Sequence, residues 1–267
     1  MINLLYGLIL SFMLAYGAYK KDSLSISGFY AAIIVSTLLF FFGSFILWIT
    51  LMAFFVSSSL LTKYKESQKK VHMAVNVNGG RRDYLQVLAN GFLPVLFAII
   101  YYFTNYIHFG VASAVTIATS NSDTWASELG VLSQGKTWSI LNLQPIQRGL
   151  SGGISLLGTL ASFSGATFIA LIYSLMLYLF GITSLQSAIP IFVIITLGGV
   201  IGCFIDSYLG ATIQARYKCP ICLKITEHKH HHNHKTELKS GIRLVTNDVV
   251  NFTSACTASI IILLFLI

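Results

Sequence analysis

The sequence predicts an all-α, polytopic transmembrane helical bundle of about eight spans, forming a single integral membrane domain over residues 1–267. Three observations predict it. Hydrophobic residues make up 55% of the chain and charged residues only 10%, against roughly 25% charged in soluble domains, so a water-facing surface could not be covered. Apolar runs recur from end to end, many near the roughly 20 residues a helix needs to cross a bilayer. The basic residues sit in short segments between those runs, the positive-inside pattern.

The first run, residues 2–19, has no basic segment before it and no small-residue cleavage site after it, so it reads as a span and not as a signal peptide. The stretch from Ser23 to Thr62 is too long for one helix and divides at Gly43-Ser44, where glycine permits a tight turn. It becomes a helical hairpin with spans 24–42 and 44–62. The remaining spans are 84–103, 106–120, 152–180, 188–206 and 249–267. With the N-terminus outside, alternation puts Lys20, Lys21 and the loops 63–83, 121–151 and 207–248 on the cytosolic side, together with all 17 Lys and Arg and all nine Asp and Glu. This asymmetry accounts for the formal charge of +8 without a nucleic-acid partner. Lys63, Lys65, Lys69 and Lys70 read as solvated charges of that kind.

Three of the inner segments carry clustered polar residues. Gln86 and Asn90, four apart, continue the face of Arg82 into the fourth span; they serve either a site or interhelical hydrogen bonding. In Ser120 to Gly130, Asp123 and Glu128 stand at the edge of an apolar segment, where carboxylates are costly unless paired or bound to a cation. Helix capping is the alternative. Asn247, Asp248 and Asn251 lead into the last span, and Asp206 closes the seventh. Carboxylates, amides and arginines at one membrane depth are what Mg²⁺ and a polyphosphate require: hard oxygen ligands for the cation and bidentate donors for the phosphates. Arg148 precedes a Gly/Ser-rich entrance in which Ser151, Gly152 and Gly153 could cradle an anion. Beyond Gly158 the small residues suit close helix packing.

Gly130 to Thr137 satisfies the expression G-x-x-x-x-G-K-[ST], but a P-loop needs a preceding strand and a following helix in an α/β sheet, and neither is legible here. In the insertion 217–236, Cys219 and Cys222 form C-x-x-C ahead of a histidine cluster. With His230 and His232 as the preferred pair they would make a Cys₂His₂ zinc site; a polar histidine tract with incidental cysteines is the alternative. Cys203 and Cys256 read as small core residues.

Five stretches then carry a resemblance: Arg82 to Gly91 (RDYLQVLANG), Asp123 to Ser133 (DTWASELGVLS), Ser151 to Gly165 (SGGISLLGTLASFSG), Asp206 to Gln214 (DSYLGATIQ) and Asn247 to Asn251 (NDVVN). Together, and in this order, they resemble the transmembrane protein 19 family, integral membrane proteins that include the plant and cyanobacterial phytyl-phosphate kinase. Where relatives have Pro after the Leu-Ser segment this chain has Gly-Lys-Thr. The resemblance implies a fold akin to CTP-using membrane enzymes such as dolichol kinase. It also implies a kinase passing a phosphoryl group from a nucleoside triphosphate, CTP by this resemblance, to a prenyl monophosphate of the phytyl or geranylgeranyl type. On that reading Asp123, Glu128, Asp206 and Asp248 hold Mg²⁺, Arg82 and Arg148 hold phosphates, Asn90, Asn247 and Asn251 orient them, and the lipid tail stays in the bilayer. A transporter or lipid carrier is the rival, since Gly-interrupted spans and intramembrane polar groups also mark transport pathways.

Overall fold

The computed structural model describes residues 2–73 and 80–266. Residues 74–79 of the expected loop 63–83, and the side chain of Lys70, lie outside the described residues. Eight helices follow in order: α1 (Ile2–Lys20), α2 (Ile26–Lys63), α3 (Glu66–Met73), α4 (Tyr84–Thr104), α5 (Ile107–Gly130), α6 (Leu156–Leu179), α7 (Leu185–Thr212) and α8 (Asn247–Leu266). Six of them, all but α3 and α5, are long and apolar enough to cross a membrane. Their outer faces expose large apolar side chains such as Phe12, Leu160, Phe163 and Leu197, which suit lipid as the surrounding solvent.

The helix α2 is not one rod. Ser44 has φ 61 and ψ −179, breaking it in the middle. The rings of Phe40 and Trp48 lie 5.9 Å apart, whereas eight residues of unbroken helix would separate them by about 12 Å. Two antiparallel arms result, and the division falls where the sequence analysis puts it.

The helix α5 is the axis of the bundle. Every residue from Gly110 to Ser122 is buried, and the helix packs against α2, α4, α6, α7 and α8. Its neighbours are protein, which explains how it tolerates a more polar composition than the outer spans. Contact with α7 is backbone-close: a Cβ on Gly202 would come within 2.3 Å of Thr119 Oγ1, so only glycine fits there.

Three boundaries differ most from expectation. Residues 121–130, expected to open a loop, are the last turns of α5. They stay helical because their polar side chains bond across to α6: Asn121 donates to the Gly165 carbonyl at 2.7 Å and Ser122 Oγ to the Ser162 carbonyl at 2.9 Å. The helix α7 likewise runs past residue 206 to Thr212. At α6 the helix starts at Leu156 instead of residue 152, because Ser155 caps it by accepting from the Gly158 amide at 3.1 Å.

Short strands cover the polar end of the bundle. β1 (Trp138–Ser139) pairs antiparallel with β2 (Gly153–Ile154). β3 (Arg216–Lys218) lies between β4 (Ile225–Thr226) and β7 (Glu237–Ser240), and β5 (His230–His231) pairs with β6 (His234–Lys235).

Candidate functional site

The polar ends of the helices enclose a cleft with a volume of about 200 Å³. Eleven of the twelve residues read from the sequence as catalytic or phosphate-binding line it: Arg82, Asn90, Asp123, Glu128, Ser151, Gly152, Gly153, Asp206, Asn247, Asp248 and Asn251. They come from distant parts of the chain, and each is positioned by a local device.

Arg82 precedes α4 and is fixed by its backbone. Its amide donates to the Ser23 carbonyl and its carbonyl accepts from the Ser25 amide, each at 3.0 Å. Asp83 then starts α4 with a capping box shared with Gln86, so Gln86 serves the helix end as well as the cleft. The Arg82 guanidinium lies 5.4 Å from the rings of both Phe54 and Phe55 and donates to Ser58 Oγ at 2.9 Å. Burial lowers its pKa to about 10, with Glu128 pulling the other way. It remains a cation at neutral pH. Asn90 donates to the Gln86 carbonyl at 2.8 Å.

Asp206, on α7, is buried and held by α8. It accepts from Ser254 Oγ at 3.0 Å and, with the Asn251 amide turned so that its nitrogen faces the carboxylate, from Asn251 at 2.9 Å. In the same orientation Asn251 accepts from Asn247 Nδ2 at 3.3 Å, linking two of the α8 residues. Asp248 sits in the first turn of α8, where the helix dipole favours a negative charge. Asp123, on α5, is only half-buried, and its carboxylate has no hydrogen-bond partner among the described residues. It lies within electrostatic reach of Asp206.

Two expected site residues are differently engaged. Glu128 is buried in an ion pair, its Oε2 2.5 Å from Lys69 Nζ and its Oε1 accepting from Thr62 at 2.7 Å. Lys69 also donates to the Leu61 carbonyl at 2.5 Å and is fully buried, which corrects its reading as a solvated positive-inside charge. Arg148 does not line the cleft. It donates to the carbonyls of Gln134 and Gly135 at 3.0 and 3.1 Å, tying down the turn after α5. That turn holds the P-loop-like stretch, where Gly130 ends a helix and Trp138 begins a strand, the reverse of the strand-to-helix order a P-loop needs.

The loop before α6 is gripped from the Cys/His insertion. Gly152 has φ +82 and its position would bring a Cβ within 2.5 Å of Ala211 Cβ, so the backbone there is bare by necessity. Ser151 donates from its amide at 3.3 Å and its hydroxyl at 2.5 Å to Glu227 Oε1, while its carbonyl accepts from Arg216 Nη2 at 2.6 Å. Burial raises the Glu227 pKa against the hydrogen bonds from Ser151 and the charge of Arg216. Burial likewise lowers that of Arg216, with Glu227 opposing. Sequence reading missed Glu227, Arg216 and Lys69; they stand in polar stretches whose composition gives no hint of burial.

In the insertion the structure gathers Cys219, Cys222 and His231, with ligand atoms all within 4.8 Å of one another. His230 and His232, the histidines preferred from the sequence, are exposed and outside this group. The cause is strand geometry. His230 and His231 are successive strand residues that point to opposite faces, and His232 with Asn233 forms a left-handed turn (φ 52 and 60) between β5 and β6.

Residues 9–259 match the family model described as integral membrane protein DUF92. Among curated proteins, the chain is 32% identical to Protein PGR of Arabidopsis thaliana, over 96% of this chain and 94% of that protein. It is 33% identical to the uncharacterized membrane protein MJ0933 of Methanocaldococcus jannaschii, over 81% of this chain and 85% of the relative. Similarity to Protein VTE6, chloroplastic, also of Arabidopsis thaliana, is 27% over 90% of this chain and 65% of that protein. No solved structure matches. Six membrane-length apolar helices and a family match across nearly the whole chain lead to one conclusion: this is a multi-pass integral membrane protein of the DUF92 family, the group that the sequence resemblance describes as transmembrane protein 19.

Proposed function

We propose that the cleft is the active site of a membrane-embedded kinase that transfers a phosphoryl group from a nucleoside triphosphate to a prenyl monophosphate, working at the cytosolic face. The observation that carries this reading is the junction of the polar cleft with an apolar cavity. A second cavity, of about 60 Å³, opens between α1, α2 and α4. Phe54, Arg82, Gln86 and Asn90 line both spaces. The inner walls of the second are mostly hydrocarbon, including Leu14, Val35, Leu51, Phe55 and Val87. A ligand lying across that junction has an anionic head beside Arg82 and an apolar tail between the helices, which is the character of a lipid phosphate. The resemblance to a family containing phytyl-phosphate kinase supports a prenyl acceptor and CTP as donor.

The donor set fits Mg²⁺. Asp123 and Asp206 present carboxylates from different helices to one cleft, and Asp123 has no hydrogen bond that a cation would have to break. That absence of a partner for Asp123 holds among the described residues, and one or two carboxylates with phosphate oxygens are the usual Mg²⁺ environment. When bound there, the ion would neutralise charge on the polyphosphate. The chain's own residues do the rest: Arg82 draws the acceptor phosphate, Asn90 and Asn247 offer amide groups to oxygens, and Gly152, whose neighbours Ser151 and Gly153 give their amides to Glu227 and Leu150, brings its backbone to the cleft wall. The acceptor phosphate is itself a nucleophile, so positioning and charge neutralisation suffice.

The test is purified protein in lipid nanodiscs with Mg²⁺, prenyl monophosphates of several lengths and each nucleoside triphosphate, followed for prenyl diphosphate. Diphosphate formation is expected with at least one donor. Ala32→Phe, which narrows the apolar cavity, is expected to raise KM for long-chain acceptors roughly tenfold and leave the nucleotide KM unchanged. Absence of product with every donor overturns the reading, and flux of the lipid phosphate across proteoliposomes in its place identifies a carrier.

A further inference from the structure

The geometry points to a second, metal-dependent site: we propose that Cys219, Cys222 and His231 bind a thiophilic divalent cation of the zinc class, and that the metal-tied hairpin β3–β4 holds the Ser151–Gly153 loop in place. This goes beyond the kinase reading and holds whatever reaction the cleft performs.

The ligand geometry carries the first half. Cys219 follows β3, its amide donating to the Lys224 carbonyl at 3.0 Å while its carbonyl accepts from Leu223 at 3.1 Å. Leu223 is left-handed (φ 58). This tight turn brings both cysteines of the C-x-x-C to one side, and both are free thiols. His231 enters from β5 with Nδ1 3.6 Å from Cys222 Sγ. A tetrahedral zinc, with Zn–S about 2.3 Å and Zn–N about 2.0–2.1 Å, requires a sulfur–nitrogen separation of about 3.6 Å. The Cys222–His231 separation matches this value, and the Cys219 sulfur lies within 4.8 Å of both ligand atoms. Two thiolates and an imidazole select zinc over Mg²⁺ or Ca²⁺, and water or an added thiol would complete the tetrahedron.

The second half follows from what flanks the turn. Arg216 begins β3 and Glu227 immediately follows β4. Arg216 donates to the carbonyls of Ser151 and Gly210, at 2.6 and 2.9 Å, and Glu227 accepts from the amide and hydroxyl of the same Ser151. One serine is thus held at its carbonyl, amide and side chain by the two strands of one hairpin. That hairpin has three residues in β3 and two in β4; β7 supports β3 from its other edge, so β4, which leads into Glu227, is an edge strand of only two residues, shorter than a strand that holds itself. A metal crosslink at its turn is the element that keeps the grip closed. Glu227 and Arg216 are positioning residues, acting on the cleft through Ser151.

The experiment uses the full-length chain purified in detergent. Metal analysis is expected to give about one zinc per chain, as a single tetrahedral site requires; Cys219→Ser, Cys222→Ser and His231→Asn lose it, and His230→Asn and His232→Asn keep it. Cobalt substitution is expected to give the thiolate charge-transfer and d–d bands of a tetrahedral sulfur–nitrogen site, a readout that does not depend on a variant folding. Amide hydrogen exchange over residues 149–154 is expected to rise when the metal is chelated, to recover when zinc is restored, and to rise in Glu227→Gln with the metal retained. A metal-free wild type, or His231→Asn that keeps its zinc, overturns the metal site. Metal removal that leaves exchange at Ser151 unchanged overturns the grip. Neither result bears on whether prenyl diphosphate is made.

Discussion

Asp123→Asn is expected to cut phosphoryl transfer about 100-fold or more, the scale of losing one preorganised charge-stabilising group, while the protein melts at a higher temperature than the wild type. The two halves have one cause. Asp123 stands in the cleft without a hydrogen-bond partner among the described residues, near a second carboxylate, Asp206. On the proposed reading, its charge destabilises the resting bundle and is of use only when a cation and phosphates arrive. Asparagine keeps the shape and removes the charge. Asp206→Asn should lose activity as well, but without the gain in stability, because that carboxylate accepts hydrogen bonds from Ser254 and Asn251. Product formation at saturating lipid, with a thermal melt of each variant, decides it. Activity of Asp123→Asn within threefold of wild type would remove Asp123 from the site.

Lys69→Met is expected to be the most destabilising single change at the polar end. The substitution leaves Glu128 with a hydrogen bond from Thr62 but no paired cation in contact, and breaking a buried ion pair by removing one partner costs about 3–5 kcal/mol. The Arg82 charge, which acts on Glu128 from a greater distance, moves the expected loss to the lower end of that range. Lys69→Met with Glu128→Gln should recover most of it, since removing both charges is far cheaper than removing one. Thermal or denaturant melts of the four proteins in one detergent measure the cycle. A single mutant as stable as wild type would mean that the pair is solvated in the membrane-bound protein.

The fold was legible where one physical effect dominates. Span length and the glycine at the Gly43-Ser44 break located the arms of α2, because a bilayer fixes how long an apolar helix can run. Most of the candidate cleft was legible too, since Asp123, Asp206 and Asn251 are polar residues at the ends of apolar runs and have few places to go. What the sequence withheld was partnership. Lys69 looks like Lys63 or Lys65 in composition, and only the return of α3 beside α5 makes it the counter-ion of Glu128. Glu227 is one acidic residue in a polar stretch until the two-residue strand β4 carries it under Ser151. The histidine of the proposed metal site shows the same limit: spacing counts residues, whereas a strand sorts them alternately to two faces, and among the described residues His231 is the histidine gathered with the cysteines.

The buried axis of the bundle also bears on how the protein enters the membrane. A segment carrying Asn121, Asp123 and Glu128, with serines and threonines along its length, partitions poorly into lipid on its own, because polar and ionisable groups within a membrane segment are costly unless they find partners in protein. The six strongly apolar helices have no such difficulty. The ribosome-bound chain therefore has its most polar crossing scheduled between α4 and α6, and that crossing becomes favourable only when those neighbours are there to receive it. Biogenesis of this protein is then a cooperative event, in which α5 is admitted to the bilayer as the filling of a helical sleeve.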